Sequence, residues 1–175
     1  STSTVNNKTI DSLRFWKKLG YSLKYLLGIS KTAKVAEAVD QISGLTFKFL
    51  DIFGQDFTEG LGTLSWINEI DANAGEVIQA GFTFAEARDA GYTATQLKKF
   101  SYAIDSLKLG GYTATELKTA GYTVSELKTA GFTSIAMKKA GFTEAELKTA
   151  GYTVEEIKKA GYTLDDFLKS IYRGN

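Results

Sequence analysis

The second half of the chain repeats one ten-residue unit, which residues 111–130 spell twice as GYTATELKTA and GYTVSELKTA. Glycine, an aromatic residue, threonine, glutamate, leucine, lysine and alanine keep fixed places in the unit. We number these places as columns one to ten, starting from the glycine. A unit this short admits only elements that fit within ten residues and stack on their neighbours. The repeat therefore restricts the fold more than any other feature of the sequence.

Each unit carries the start and stop signals of a helix. Thr113 followed by Glu116 forms a capping box, in which each side chain satisfies a free backbone N–H at the helix start. Gly121 fits the position just past the helix end, where the backbone enters the left-handed region. Tyr122 then pairs with Leu117 as the apolar contact of a Schellman ending. The unit predicts a helix of two turns between the threonine and the next glycine.

Helices of this length need neighbours, because isolated helices shorter than about 12–15 residues barely form in water. The repeat therefore predicts an all-α solenoid in which each short helix stacks on those beside it. Column seven would form its inner spine: Leu97, Leu107, Leu117, Leu127, Met137, Leu147, Ile157 and Phe167. Column two would pack around the spine rather than offer a stacking platform for bases: Phe82, Tyr92, Tyr102, Tyr112, Tyr122, Phe132, Phe142, Tyr152 and Tyr162.

The repeat array extends upstream of its most regular copies. Asn73 and Glu76 make a capping box with asparagine as the cap, and the unit before it has Thr63 in the threonine column. We therefore expect two regions: a helical N-terminal cap over residues 1–60 and a ten-residue-repeat solenoid over residues 61–175. Within the cap, an amphipathic helix is expected over residues 9–19. Residues 30–53 predict one long helix, or two with a break near Gly44.

The unit at residues 101–110 departs from the pattern. Ser101 stands in the glycine column, Ala103 in the threonine column and Ser106 in the glutamate column. The unit loses its threonine cap, and the preceding helix loses its glycine ending. This predicts either a helix that joins the preceding one or a bend in the array.

The last helix is expected to be longer and more apolar than the others. Leu164 and four later residues give it an apolar side, which either folds back as a cap or offers a face to a partner subunit. The candidate end contacts are Phe167, Leu168, Ile171 and Tyr172.

Column eight is a regular stripe of cations: Arg88, Lys98, Lys108, Lys118, Lys128, Lys138, Lys148 and Lys158. Such a stripe is a candidate interaction face, which could follow a nucleic-acid backbone or bind an acidic protein. However, residues 81–175 hold 13 basic and 11 acidic residues, a net charge of only +2. A solvated face, with lysines that complement the helix dipoles, is therefore the favoured interpretation.

The composition argues against enzyme chemistry. The chain has no cysteine and no histidine, which excludes thiol catalysis, Cys/His zinc sites and the usual general base. No glycine-rich phosphate loop and no nucleophile elbow occurs. We expect no catalytic residue, no cofactor and no metal site. No segment typical of secretion or membrane insertion is visible, so an intracellular or virion location is expected rather than secretion.

The AGYTxxELK unit, over Gly81 to Ser170, resembles the ten-residue repeats of tandem arrays in large-virus, phage and some microbial proteins. The resemblance implies a structural or interaction role and transfers no catalytic residue. We therefore expect a non-enzymatic scaffold for assembly or protein interaction, as a component of a virion or another large particle. Its partners would be proteins, including further copies of itself. The alternative function is a nucleic-acid-binding module that uses the lysine column.

Overall fold

The structure is a computed structural model, and it describes residues 4–28 and 71–173. The long helix expected over residues 30–53, the repeat unit expected at residues 61–70 and the boundary expected at residue 60 lie outside the described residues.

Every regular element in the described residues is a helix, which confirms the all-α repeat solenoid. The helices are α1 (Asn7–Lys18), α2 (23–28), α3 (Ala74–Gln79), α4 (Phe84–Asp89), α5 (Ala94–Lys98), α6 (Ile104–Leu109), α7 (Ala114–Thr119), α8 (Val124–Thr129), α9 (Ser134–Lys139), α10 (Glu144–Thr149), α11 (Val154–Lys159) and α12 (Leu164–Arg173). They group into two compact units, Ser1–Tyr92 and Thr93–Asn175.

The helices of the array begin at capping boxes, as predicted. At the start of α8, the Thr123 hydroxyl accepts a hydrogen bond from the Glu126 backbone N–H at 3.2 Å. In return the Thr123 N–H donates to the Glu126 carboxylate at 2.7 Å. Two hydrogen bonds that the Glu126 carboxylate accepts, from the Thr123 N–H and from the Thr123 hydroxyl, lower the pKa of Glu126. The same reciprocal pair caps α3, α4, α5, α7, α10 and α11.

Replacing Thr123 with alanine should lower the free energy of unfolding by about 1 kcal/mol, because the backbone N–H of Glu126 loses its acceptor. Thr123→Ser retains the hydroxyl and should stay close to the wild type. Urea denaturation of the three proteins measures both differences. A serine variant as unstable as the alanine variant would contradict the capping role.

The helices end as the glycine column predicts. After α7, the Gly121 N–H donates to the Lys118 carbonyl at 2.9 Å and the Tyr122 N–H donates to the Leu117 carbonyl at 3.1 Å. Gly121 has a φ of 90°, in the left-handed region where a side chain is strained. These are the two hydrogen bonds of a Schellman ending, and they turn the aromatic residue back against the helix that it follows.

The irregular unit at residues 101–110 keeps its own helix. Ser101 adopts a φ of 59°, so α5 ends at Lys98 and α6 begins separately at Ile104. The prediction of a joined helix was therefore wrong. Burial of Leu107 explains the difference, because its side chain reaches the core only if the chain turns at residue 101. The loss of the cap is confirmed, since Ala103 provides no side-chain hydrogen bond to the helix start.

Columns seven and two form the core, as predicted. The column-seven side chains from Leu97 to Leu147 are completely buried, and the column-two rings are buried or half-buried. Phe167 is the exception, because 41% of it is exposed. Its place in the inner spine was a wrong prediction. Ile171 stands in the glycine column and α12 continues past it to Arg173, so Tyr172 does not fold back over Phe167.

Within residues 93–173, helices pack against the second helix along as well as against the next one. Close second-neighbour pairs are α5 with α7, α7 with α9, α9 with α11 and α10 with α12. Tyrosine hydroxyls bond across the same spacing of two units. The Tyr152 hydroxyl donates to the Phe132 carbonyl at 2.6 Å, and the Tyr162 hydroxyl donates to the Phe142 carbonyl. Each level of the solenoid therefore contains two units, or twenty residues.

The tyrosine contacts predict a loss of stability at alkaline pH. Burial raises the pKa of Tyr162 from 10.0 to about 12, with the charge of Asp166 as the second cause. Because the folded pKa is the higher one, the contribution of Tyr162 is complete below pH 10 and is lost as the pH rises through about 12. Denaturation curves across this range should show a loss that Tyr162→Phe reduces. The exposed control Tyr172→Phe should not reduce it; an equal effect of both variants would contradict the assignment.

In the compact unit that ends at Tyr92, α1 and α2 cover α3, the first described helix of the array. Their residues Ile10, Leu13, Leu23 and Leu26 share one buried cluster with Val77 of α3 and with Phe82. The Asn6 N–H donates to the Glu76 carboxylate at 2.7 Å, and the Arg14 guanidinium donates to the Gln79 carbonyl at 3.0 Å. These contacts confirm a helical N-terminal cap in the described residues.

Candidate functional site

Five members of the lysine column lie over aromatic rings that follow them by 24 residues. The distances from Nζ to the ring centroid are 4.6 Å for Lys98 over Tyr122, 5.2 Å for Lys108 over Phe132, 4.5 Å for Lys118 over Phe142, 5.5 Å for Lys128 over Tyr152 and 5.6 Å for Lys138 over Tyr162. This is the geometry of cation–π contacts. The lysine column thus joins successive levels of the solenoid.

The same ammonium groups approach the ends of other helices. Lys108 Nζ donates to the Ala130 carbonyl at 2.9 Å, and Lys118 Nζ donates to the Gly141 carbonyl at 2.9 Å. These carbonyls lie at helix C-termini, where a positive charge is favourable. Each of these lysines therefore complements the dipole of a helix two units further along.

The remaining members of the lysine column, Arg88, Lys148 and Lys158, are exposed. A cation on the surface is available to a phosphate or carboxylate only to the extent that its present contacts can be given up. The nucleic-acid hypothesis therefore depends on the column-eight side chains, five of which already contact aromatic rings within the array.

Columns five and nine point away from the core in every unit between residues 93 and 160. They lie four residues apart, so they share one side of each helix. We call this surface the outer face: Thr95, Lys99, Asp105, Leu109, Thr115, Thr119, Ser125, Thr129, Ile135, Lys139, Ala145, Thr149, Glu155 and Lys159. Its chemistry changes from unit to unit, unlike that of the inward columns. Sequence reasoning from the fixed columns did not identify this surface; the variation of columns five and nine was the available signal.

Two hydroxyls of the outer face donate hydrogen bonds within their own helices. The Thr119 hydroxyl donates to the Thr115 carbonyl at 3.0 Å, and the Thr129 hydroxyl donates to the Ser125 carbonyl at 2.9 Å. Within residues 4–28 and 71–173, no group of three acidic side chains is placed to hold a metal ion. None of the helices in the same ranges combines the length and apolarity needed to cross a bilayer.

A second exposed surface lies on the last two helices. All four candidate end contacts are exposed, together with Val154 of α11 and Leu164 of α12. We call this set the terminal apolar face: Val154, Leu164, Phe167, Leu168, Ile171 and Tyr172. Val154 was not among the candidate end contacts; a valine at the same column earlier in the array, Val124, is half-buried.

The fold and these surfaces define a helical repeat protein. Residues 101–173 match the family model described as the decapeptide repeat region. No curated protein and no solved structure matches the chain. The family match supports a decapeptide tandem repeat over the matched residues, in agreement with the helix boundaries.

Proposed function

We propose that this protein is a non-enzymatic scaffold that binds a protein partner through its outer face, as a component of a virion or another large particle. The observation that carries the proposal is the division of labour among the columns. The inward columns repeat and hold the fold, whereas columns five and nine are exposed in every unit between residues 93 and 160 and vary in chemistry. A stack of such units presents contacts at constant intervals along an extended surface.

The repeated glutamates of column six have structural contacts, which supports a non-enzymatic role. Glu116, Glu126, Glu146 and Glu156 cap helices. Catalysis requires an acid, a base or a nucleophile that converge on a substrate. In the described residues these side chains instead lie in separate units along the array, each at the start of its own helix.

Site-specific photo-crosslinking tests the scaffold. A photoreactive amino acid at Ser125 should capture a discrete partner from native extract, whereas the same group at the exposed Asp11 of α1 should not. With the photoreactive group kept at Ser125, Thr115→Arg together with Ala145→Arg should abolish capture without changing the melting temperature, because both positions are exposed. Capture from both positions, or capture that survives the arginines, would overturn the outer-face assignment. A captured partner that does not sediment with a large particle would overturn the particle role alone.

Nucleic-acid binding is the weaker alternative, because five column lysines contact rings within the array. Phosphate binding through this column would weaken steeply with salt. We expect little affinity for DNA or RNA at physiological salt, and a salt slope that Lys118→Gln, Lys128→Gln and Lys138→Gln leave unchanged. The control replaces Lys139 and Lys159, which are exposed in column nine. A steep slope that only the column-eight variant reduces would favour the nucleic-acid function instead.

A further inference from the structure

The helices of the array form two rows, because each level of the solenoid contains two units. The first row is α5, α7, α9 and α11, and its successive helices are in contact. Column four lies within that contact, where Ala94, Ala114 and Ser134 are buried. The Ser134 hydroxyl donates to the Glu156 carbonyl, two units along, at 2.6 Å. The helices α6, α8 and α10 alternate with these along the chain and belong to the second row.

The outer face therefore consists of two strips, one on each row. We call columns five and nine of the first row the first-row strip: Thr95, Lys99, Thr115, Thr119, Ile135, Lys139, Glu155 and Lys159. The second-row strip is formed by the same columns of the other units: Asp105, Leu109, Ser125, Thr129, Ala145 and Thr149.

The charges of the array are divided unequally between the two rows. Between residues 93 and 160, the units of the first row hold seven basic and three acidic residues, a net charge of +4. The units of the second row hold three basic and four acidic residues, a net charge of −1. The low net charge of the whole array therefore conceals one positive row.

Column nine produces most of this difference. In the first row it contains the exposed residues Lys99, Lys139 and Lys159. In the second row it contains Leu109, Thr129 and Thr149. A lysine at the end of a helix complements the helix dipole. The second-row helices are of similar length and lack a lysine at this column, so the dipole does not explain why the first row has three.

The column-nine lysines of the first row differ from the lysine column in their contacts. No ring contact, ion pair or hydrogen bond in the described residues involves the side chain of Lys99, Lys139 or Lys159. Lys169 holds column nine in α12, where its ammonium group pairs with Asp165 at 2.8 Å. The three first-row cations can therefore meet carboxylates of another molecule without giving up a contact of the fold.

The spacing of these cations fits a protein better than a nucleic acid. Packed helices lie about 8–10 Å apart, so Lys159 follows Lys139 after one such step and Lys99 precedes Lys139 by two. One nucleic-acid strand carries a phosphate about every 3.4 Å, so most phosphates along the strip would find no cation. A protein can place its carboxylates at the intervals of the lysines.

An apolar side chain lies among the cations. Ile135 is 51% exposed and lies one turn before Lys139 in α9. The level before it carries the smaller residues Thr115 and Thr119, over which a segment can approach closely. A phosphate backbone offers no apolar partner for Ile135, whereas an acidic protein segment can carry an apolar residue between its carboxylates.

We propose that the first-row strip binds an acidic segment of a partner protein, whose carboxylates contact Lys99, Lys139 and Lys159 and whose apolar side chain covers Ile135. This proposal rests on the proposed scaffold function and specifies the chemistry of its partner. The occupant follows from charge complementarity, because the strip has three available cations and one acidic residue, Glu155.

Fluorescence anisotropy with a defined peptide tests the proposal. The probe is a labelled peptide of Glu-Glu-Leu-Glu repeated to about 12 residues, which spans about 40 Å when extended. The full chain at low salt should bind it with a dissociation constant below about 1 mM. Replacing Lys99, Lys139 and Lys159 with glutamine should raise that constant about tenfold, because each exposed ion pair contributes modestly and three are lost.

A matched variant separates the position of the charges from their number. Lys18→Gln with Lys24→Gln and Lys148→Gln removes the same charge from exposed positions outside the strip and should leave the dissociation constant unchanged. Glu155→Gln should lower the constant, because it removes the acidic residue of the strip. A gain in affinity cannot result from a loss of folding.

A second probe tests the apolar contact. Serine in place of the leucines of the peptide should weaken binding to the wild type. The same replacement should have no effect on binding to the Ile135→Ser variant, because that variant has already lost the apolar side chain. An equal loss in both proteins would overturn the contact with Ile135.

The remaining outcomes separate this inference from the scaffold function. Absence of binding, or an equal loss in the two triple glutamine variants, would overturn the acidic partner. Tighter binding of an oligothymidylate of similar length, lost in the Lys99, Lys139 and Lys159 variant, would overturn it in favour of a nucleic acid. Ser125 lies in α8 of the second row, so capture there would leave the scaffold function standing in each case. Loss of capture with normal peptide binding would overturn the scaffold function and retain the affinity of the strip for acidic segments.

Discussion

Replacing Leu127 with alanine is expected to lower the free energy of unfolding by about 2–5 kcal/mol. Leu127 is completely buried in the middle of the array, and helices before and after α8 limit the collapse of the cavity that its truncation would leave. Because each helix is too short to be stable alone, the loss extends to its neighbours. Thermal or urea denaturation followed by circular dichroism measures the effect.

The matched control for this prediction is Ser125→Ala in the same helix. Ser125 is exposed, so its replacement should change stability by less than about 0.5 kcal/mol. If Leu127→Ala unfolds at the same denaturant concentration as the control, the assignment of column seven as the spine would be wrong.

The second large effect is expected in the glycine column. Gly151 has a φ of 95°, and a Cβ there would meet Lys128 Cε at an ordinary contact distance of 3.8 Å. Gly151→Ala should therefore lose about 1–2 kcal/mol through backbone strain alone, without a steric clash. Equilibrium denaturation of the full chain should show this loss.

Ser101→Gly provides the inverse of this change. Ser101 already adopts a φ of 59°, so glycine should relieve its strain and raise stability by about 1 kcal/mol. If Gly151→Ala lowers the free energy of unfolding and Ser101→Gly raises it, the backbone conformation determines the effect of both substitutions. A Ser101→Gly variant less stable than the wild type would contradict this explanation.

The helix boundaries of the repeat could be predicted from the sequence because their determinants are local. Thr123 and Glu126 lie within one unit and Gly131 directly follows it, and capping depends on groups that are close together along the chain. The predicted ends agree with the structure wherever those residues are present. Ser101 shows the limit of local reasoning, because burial of Leu107 maintained a turn that the altered signals did not predict.

The contacts between levels could not be predicted in the same way. The ten-residue period fixes each helix but does not say how many units complete a level of the solenoid. Lys128 reaches Tyr152 because a level contains two units, and that number follows from packing across the stack. The aromatic and lysine columns were both recognised, but their pairing at 24 residues was not.

The terminal apolar face could likewise be predicted only in part. The exposure of Leu168 and Ile171 could be expected from an apolar side at the end of the array. The exposure of Val154 depends on which helix covers column four, which is a property of the stack. Phe167 was misplaced because its column indicated the spine, whereas Ile171 prevents the turn that would bury it.

Column four also bears on how the gene for such a chain can change in length. Between residues 94 and 144 this column alternates between a small and a larger residue: Ala94, Ile104, Ala114, Val124, Ser134 and Glu144. Helices of alternate units stack on one another, so adjacent copies are not interchangeable. Gain or loss of one copy by DNA slippage would bring a large side chain into the tightly packed row, where overpacking costs about 1–3 kcal/mol. Gain or loss of two copies preserves the alternation, so natural length variants should differ in steps of twenty residues.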